Sequence, residues 1–229
     1  MSLFAIGDPH LSFSVNKPMD IFRGWTDYTE RLQKNWNAVV GEGDSVVVPG
    51  DISWAMSFEQ AEKDFQFLNS LNGTKYILKG NHDYWWNTMS KMTKFLDENG
   101  FDTIKIVHNN SFSVEGFAIG GTRGWFYDDS EGDINKVILR EAGRLRASLK
   151  AASELEGEVI AFLHYPPINE VQRCDEIISV LKEFDVKRCY FGHLHGFVAP
   201  GCAKIDSDGI LFNLVSADYL GFTPRLITP

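Results

Sequence analysis

Residues 3–10 read LFAIGDPH, a four-residue apolar run followed at once by glycine, aspartate, proline and histidine. Short apolar runs bounded by glycine or proline are typical of strands that are buried on both faces. The same arrangement returns four more times, as SVVVPGD (45–51), KYILKGNHD (75–83), EVIAFLH (158–164) and KRCYFGHLH (187–195). Because ligands in α/β proteins bind outside the carboxyl ends of the strands, this repetition predicts one polar edge where the strands end.

Segments with helical periodicity separate several of these strands. Ser57 and Gln60, three residues apart, form a capping-box pattern at the start of one segment. The predicted helices span 26–40, 57–71, 87–100, 133–153 and 169–184, and further strands are predicted at 117–120 and 209–215. The alternation of strand and helix predicts an α/β fold.

Length and composition limit the classes of protein to consider. The chain has 229 residues with 22 Lys+Arg against 31 Asp+Glu, a formal net charge of −9. We expect a single domain over residues 1–229, and the acidity argues against nucleic-acid polymers as partners. Three scattered cysteines indicate neither a disulfide framework nor a cysteine-rich zinc module. Because neither a signal-peptide pattern nor a long apolar stretch is visible, we expect a cytoplasmic protein with no membrane association.

The polar residues after the strands have spacings that suit a shared ligand. Residues i and i+2 of an extended chain point to the same side, so Asp8 and His10 can act together, as can His193 and His195. Glycines beside these residues permit tight turns and close backbone approach. The polar edge therefore has the properties of a metal or phosphate site.

The donor types point to divalent metals of the first transition row. Imidazoles, two carboxylates and one amide oxygen suit Mn²⁺, Fe²⁺, Zn²⁺ or Co²⁺. The seven candidate ligands are Asp8, His10, Asp51, Asn81, His164, His193 and His195. Seven donors are too many for one ion, but with one carboxylate shared they suit two ions, an arrangement that can clamp a phosphoryl group during in-line displacement.

In content and order these blocks resemble the motifs of the calcineurin-like metallophosphoesterase superfamily. They are Asp8-x-His10, Gly50-Asp51, Gly80-Asn81-His82-Asp83, His164 and Gly192-His193-x-His195, and they span residues 7–195. The chain looks like a minimal, bacterial-type, single-domain member. The resemblance implies a four-layer αββα sandwich of two mixed β-sheets flanked by helices, with a dinuclear metal site at the edge where the strands end.

The resemblance also implies a role for each residue of these blocks. The first metal ion would be held by Asp8, His10 and His195. The second would be held by Asn81, His164 and His193, and Asp51 would bridge the two. His82 would stabilise or protonate the leaving group, and Asp83 would orient the His82 ring. The implied reaction is in-line attack of a metal-bridging hydroxide on a phosphate ester.

Residues beside the motifs leave alternatives open. Arg123 is either a substrate contact or an ordinary ion-paired arginine. Tyr84, with Trp85 and Trp86, either walls a substrate pocket or packs in the core. The loops at 11–25 and 121–132 are candidates for functional segments, although an exposed acidic loop explains 121–132 slightly better than a lid does.

The expected function is hydrolysis of a small phosphomonoester or phosphodiester. Two alternatives from other classes are a non-catalytic scaffold that keeps the fold and a sensor that binds a phosphorylated ligand without turnover. Scaffolds descended from such enzymes tend to lose ligands or the catalytic histidine, and here every ligand position of the motifs is present.

Overall fold

The computed structural model describes residues 1–125 and 133–228. Within these ranges the strands are β1 (Leu3–Ala5), β2 (Ser45–Val48), β3 (Thr74–Ile77), β4 (Ile104–Ile106), β5 (Ser111–Val114), β6 (Phe117–Thr122), β7 (Glu158–Leu163), β8 (Arg188–Phe191), β9 (Lys204–Ser207), β10 (Ile210–Leu214) and β11 (Arg225–Ile227). The helices are α1 (Tyr28–Val39), α2 (Phe58–Ser70), α3 (Met89–Asn99), α4 (Ile134–Ser153), α5 (Asp175–Glu183) and the short α6 (Pro200–Ala203). No helix in the described ranges is both long and apolar enough to cross a membrane.

The strands form two mixed sheets. The first has the order β11-β1-β2-β3-β4, in which β1 to β4 are parallel and β11 is antiparallel to β1. The second has the order β5-β6-β7-β8-β10-β9, with the antiparallel strands β5 and β9 at its two edges. The predicted α/β class with two mixed sheets flanked by helices is confirmed.

Three apolar cores separate four layers of structure. Side chains alternate along each strand, so Phe4 and Val46 contribute to the core beneath α1, α2 and α3. Their neighbours Leu3 and Val47 face the second sheet and form a core between the two sheets. A third core joins the second sheet to α4 and α5, with residues such as Leu145 packed in it. The order is therefore helices, sheet, sheet, helices.

The structure departs from the predicted elements mainly at the edges of the sheets. The strands β4, β5, β9 and β11 lie outside the predicted set. The predicted helix at 169–184 begins only at Asp175. The reason is a local turn in which the side-chain oxygen of Asn169 accepts hydrogen bonds from the amides of Val171 and Gln172, which competes with helix formation.

Backbone hydrogen bonds join the two sheets at the edge where the parallel strands end. The amide of Gly7, just after β1, donates to the carbonyl of Val215 at 2.7 Å, and the amide of Ala217 donates to the carbonyl of Gly7 at 2.9 Å. The residues that follow β1 in the first sheet therefore meet those that follow β10 in the second sheet.

Candidate metal centre

Two compact groups of ligand-type side chains lie at this edge. The first consists of Asp8, His10 and His195, and the second of Asp51, His164 and His193. In each group the donor atoms lie within 4.8 Å of one another. The loops after four different strands thus bring their polar residues to one place, as expected from the sequence.

The carboxylate of Asp51 lies between the two groups. Its Oδ2 is 3.6 Å from Nε2 of His10 in the first group and 3.6 Å from Nε2 of His164 in the second. One oxygen is therefore equally near to a donor of each group.

Asn81 completes the second group with an amide oxygen. Its Oδ1 lies 2.6 Å from Nε2 of His164 and 3.1 Å from Nδ1 of His193. All seven predicted ligands are therefore found together.

The backbone at the site is held in unusual conformations. The candidate ligands with left-handed backbones are Asp8, His10, Asp51 and His193, with φ between 47° and 71°. Such conformations cost energy in non-glycine residues and cluster at functional sites. Tight packing is a second constraint on the backbone, since a Cβ atom at Gly192 would lie 2.4 Å from Oδ2 of Asp8. The loops therefore adopt backbone conformations of higher energy, and in these conformations their side chains point to one place.

Burial sets the charge state of three histidines in the two groups. It lowers the pKa values of His10, His164 and His193 to about 3, so these imidazoles are neutral and can offer a lone pair. Burial, together with the neighbouring Asp51, raises the pKa of Asp8 to about 7. The carboxylates of Asp8 and Asp51 are buried close together, and their negative charges are stable there only with a positive charge nearby.

The hydrogen bonds of His164 and His195 show that the site fits cations. Nδ1 of His164 lies 3.1 Å from the carbonyl oxygen of Pro49, which only accepts, so Nδ1 carries the proton and Nε2 has the lone pair. Nδ1 of His195 lies 3.0 Å from Oδ1 of Asp218, which holds a proton on Nδ1 and leaves Nε2 as the nitrogen that would bind a metal ion once its own proton is lost. Both Nε2 atoms face other donor atoms, at 2.6 Å for Asn81 and 3.1 Å for His10. Divalent ions suit such converging lone pairs.

His82 lies at the rim of the centre, outside both groups. Its ring is 5.7 Å from that of His10, and its Nδ1 is 3.3 Å from Oη of Tyr84. Burial lowers the pKa of His82. Tyr84 is exposed beside it, whereas Trp85 is buried and Trp86 is half-buried in the core under the helices. Of the three aromatic residues, Tyr84 is the one next to the site.

Asp83 does not orient His82, contrary to the expectation from the motif. Its Oδ1 accepts hydrogen bonds from the amides of Ile52 and Ser53 and from the indole of Trp85, and its Oδ2 accepts from the amide of Gly80. The side chain is fully buried beneath the loops that follow β2 and β3. It therefore fixes the two loops to each other, and Nδ1 of His82 lies near the hydroxyl of Tyr84 instead.

Arg123 belongs to neither group of candidate ligands. It is buried, its guanidinium packs against the ring of Trp125 at 5.0 Å, and it lines a separate cavity of about 20 Å³ that includes Lys79 and Glu141. Its backbone carbonyl accepts hydrogen bonds from the amides of His164 and Tyr165. The substrate contact, one of the two alternatives for Arg123, stays a prediction. Most of the candidate loop at 121–132 lies outside the described residues.

Comparison with known proteins identifies the family. The family model described as calcineurin-like phosphoesterase matches residues 1–197. The chain belongs to this family. It is also 29% identical, over 112 residues, to the uncharacterized protein MJ1445 of Methanocaldococcus jannaschii. That match covers 47% of this chain, and the chain spans 58% of the length of that relative.

Solved structures of similar fold include proteins from three organisms. Phosphopantetheinyl hydrolase (PptH) of Mycobacterium tuberculosis has a TM-score of 0.58 at 14% identity, with 100% of this chain and 96% of that chain covered. TT1561 of Thermus thermophilus has a TM-score of 0.58 at 12% identity, with 99% and 97% covered. AQ665 of Aquifex aeolicus has a TM-score of 0.55 at 15% identity, with 98% and 95% covered. At these identities the likeness shows the shared fold.

Two functional neighbours in this calcineurin-like centre carried no signal in the sequence. Asp218 follows β10 in an irregular turn, 23 residues after its partner His195. Pro49 acts through its backbone carbonyl, which any residue provides. The sequence contains many aspartates, and no local pattern distinguishes Asp218 from the others as the partner of a histidine.

Proposed function

We propose that this chain is a dinuclear-metal phosphoesterase that hydrolyses small phosphomonoesters or phosphodiesters. The observation that carries the proposal is the position of the Asp51 oxygen, 3.6 Å from an imidazole nitrogen of each ligand group. A carboxylate shared in this way suits two ions a few ångströms apart, the arrangement used for in-line phosphoryl displacement.

The charge balance of the centre supports an anionic substrate. Two divalent ions would bring about four positive charges against the two carboxylates of Asp8 and Asp51, because the buried histidines are neutral. When bound, such ions supply Lewis-acid stabilisation of the phosphoryl group and activate water. An acidic protein would thereby present a cationic site to a small phosphate ester.

His82 is the group proposed to act on the departing oxygen. It lines the same cavity as His10, His193 and His195 but belongs to neither ligand group. It can therefore reach a phosphate ester without being occupied by a metal. A hydrogen bond from His82 to the departing oxygen would stabilise the negative charge that develops there.

A direct test combines turnover with metal analysis. The purified chain is assayed with p-nitrophenyl phosphate and bis-p-nitrophenyl phosphate after addition of Mn²⁺, Fe²⁺, Zn²⁺ or Co²⁺. We expect turnover of at least one substrate, and the ratio of the two distinguishes monoester from diester preference. The variant Asp51→Asn should lose both activity and metal, and the exposed Asp97→Asn should lose neither.

The same experiment distinguishes an enzyme from the two alternatives, a phospho-ligand sensor and a non-catalytic scaffold. Two metals per chain with no turnover of either ester would favour a phospho-ligand sensor, and absence of both metal and turnover would favour a scaffold. If Asp51→Asn retained two metals per chain, the shared role of Asp51 would be wrong.

A further inference from the structure

The cavity beside the two ligand groups has a lining of two kinds. Its volume is about 390 Å³, within the range of small-molecule sites. Four imidazoles line one part, those of His10, His82, His193 and His195. Most of the remaining lining is apolar and consists of Met19, Phe22, Trp25 and Trp54. A group attached to a phosphate held near the imidazoles would therefore meet apolar side chains.

The apolar part of the lining is held in place by the protein itself. The loop at 11–25 supplies three of its four residues, and the amide of Phe13 fixes this loop to α2 by donating to Oδ1 of Asp64 at 2.8 Å. Trp25 is only 3% exposed and meets the ring of Phe222 edge-on, with centroids 5.1 Å apart. The apolar lining is thus formed before any ligand binds, which lowers the entropic cost of binding.

Trp54 lies beside His82, the residue proposed to act on the departing oxygen. Its ring centroid is 4.1 Å from that of His82 and 5.1 Å from that of His10. It also lines a second cavity of about 620 Å³, together with Tyr84 and Lys17. A group bound next to His82 would therefore contact the large apolar surface of an indole.

The cavity offers few partners for hydroxyl groups. Among the described residues that line it, the side chains able to form hydrogen bonds, apart from the imidazoles, are Arg23 and the two indoles. These groups only donate, and neither carboxylates nor amide side chains are present in the lining. A sugar or polyol would replace only some of its hydrogen bonds to water, which is costly.

We propose that this cavity selects phosphate esters whose alcohol carries an apolar ring next to the ester oxygen. This inference rests on the proposed phosphoesterase function and narrows its substrate class. The ring would pack against Trp54 and Phe22 while the phosphate lies at the imidazoles. Esters of polyols and sugars are poor substrates for the same reason.

Two monoesters of matched chemistry test the selectivity. Benzyl phosphate and glycerol 3-phosphate both release a primary alcohol of similar acidity and size, so they differ mainly in the polarity of the group. With the Mn²⁺-loaded chain we expect kcat/KM for benzyl phosphate to be at least about tenfold higher, as apolar pockets discriminate by such factors. Equal values, or a preference for glycerol 3-phosphate, would overturn the inference.

A pair of loop variants assigns the preference to the cavity. Phe22 lines the cavity and is 53% exposed, so Phe22→Ser should fold normally and lower the ratio of the two kcat/KM values several-fold. Phe13 lies in the same loop, is 45% exposed and lines neither cavity, so Phe13→Ser is the matched control and should keep the ratio. An unchanged ratio in Phe22→Ser would count against the inference.

A binding measurement separates failure of the inference from failure of the proposed function. Benzylphosphonate and 2,3-dihydroxypropylphosphonate cannot be hydrolysed, and their affinities for the Mn²⁺-loaded chain can be measured by calorimetry. Tighter binding of benzylphosphonate without turnover of any ester would overturn the phosphoesterase and support the selectivity of the cavity. Turnover of esters with equal binding of both phosphonates would support the phosphoesterase and overturn the selectivity.

Discussion

The carboxylate of Asp218 binds both the ring and the loop of His195. Its Oδ1 lies 3.0 Å from Nδ1 of His195, and its Oδ2 accepts a hydrogen bond from the amide of Gly196 at 2.8 Å. Burial raises the pKa of Asp218, but these hydrogen bonds outweigh it and the pKa lies below its usual value. Burial on its own would lower the pKa of His195, but the carboxylates of Asp218 and Asp8 outweigh burial and raise the pKa to about 8.

Removal of this carboxylate should weaken metal binding. Asp218→Ala leaves the His195 ring free to rotate and to change tautomer, so we expect the affinity for Mn²⁺ to fall by roughly 10- to 100-fold, as for other histidine-orienting partners. Calorimetric titration of the metal-free protein measures the change. Asp218→Asn keeps an acceptor for Nδ1 and should restore part of the affinity, while the exposed Asp97→Ala serves as the control. Equal losses in the Asn and Ala variants would contradict an orienting role.

A methyl group at Gly192 should disturb the centre without removing a ligand. The Cβ of Gly192→Ala would lie 2.4 Å from Oδ2 of Asp8, so the carboxylate must move. We expect a lower metal affinity and a loss of about 1–3 kcal/mol in the free energy of unfolding, typical of overpacking. Urea denaturation and metal titration measure the two effects.

The matched control lies in the middle of α4. A Cβ at Gly143 meets nothing within 4 Å, so Gly143→Ala should stabilise the protein by roughly 1 kcal/mol through its helix propensity. Unaltered metal binding in Gly192→Ala would show that the close packing against Asp8 has no functional role.

The proposed role of His82 predicts a separation between catalysis and metal content. His82→Ala should reduce kcat by about 100-fold or more, the usual contribution of a positioned acid, while two metals per chain remain. Elemental analysis and steady-state kinetics measure both quantities. His108→Ala is the control, because His108 lines a different cavity. Loss of metal from His82→Ala would move this residue into the ligand set.

Lys75 stabilises the fold far from the metal centre. Its ammonium group is buried and donates to the carbonyls of Leu71 at 2.6 Å and Gly73 at 2.8 Å, just after α2 ends. Lys75→Met leaves these carbonyls without partners, so we expect the free energy of unfolding to fall by about 2 kcal/mol or more. The exposed Lys105→Met, also in a strand, should have little effect.

The effect of Lys75 should depend on pH in a definite direction. Burial lowers the pKa of Lys75 to about 8, whereas an unfolded chain keeps a value of about 10.4. Between these values the unfolded state binds the additional proton, so the contribution of Lys75 to stability increases with pH. The difference in unfolding free energy between the wild type and Lys75→Met should therefore be larger near about pH 9.5 than near pH 7. A smaller difference at the higher pH would contradict this assignment.

Much of the fold and the grouping of the candidate ligands could be predicted because both depend on local sequence patterns. Apolar runs such as SVVV (45–48) form strands by their own periodicity, and parallel strands end at one edge, which brings Asp51 and His164 together. The edge strands were harder to predict. The edge strand β9 is an example, because it was not predicted although the sequence contains a signal for it. It forms a hairpin with β10, and the turn at Asp208 and Gly209 has the left-handed backbones that an Asp-Gly pair favours.

What the sequence could not predict depends on side-chain direction and on contacts between distant segments. Asp83 adjoins His82 in the chain, but its side chain is buried beneath the loops, where it accepts backbone hydrogen bonds. Asp218 reaches His195 only because β10 and the turn after it return to the site. Such pairings follow from the packing of the layers and have no local pattern.

The arrangement of the two ligand groups across the layers has a mechanical consequence. Each group draws residues from both sheets: Asp8 and His10 follow β1 while His195 follows β8, and Asp51 follows β2 while His164 follows β7. A metal ion in either group would therefore be a crosslink between the two halves of the sandwich, comparable in effect to a disulfide. Sliding one sheet over the other would break both crosslinks at once, so the rigidity of the protein would depend on its metal supply.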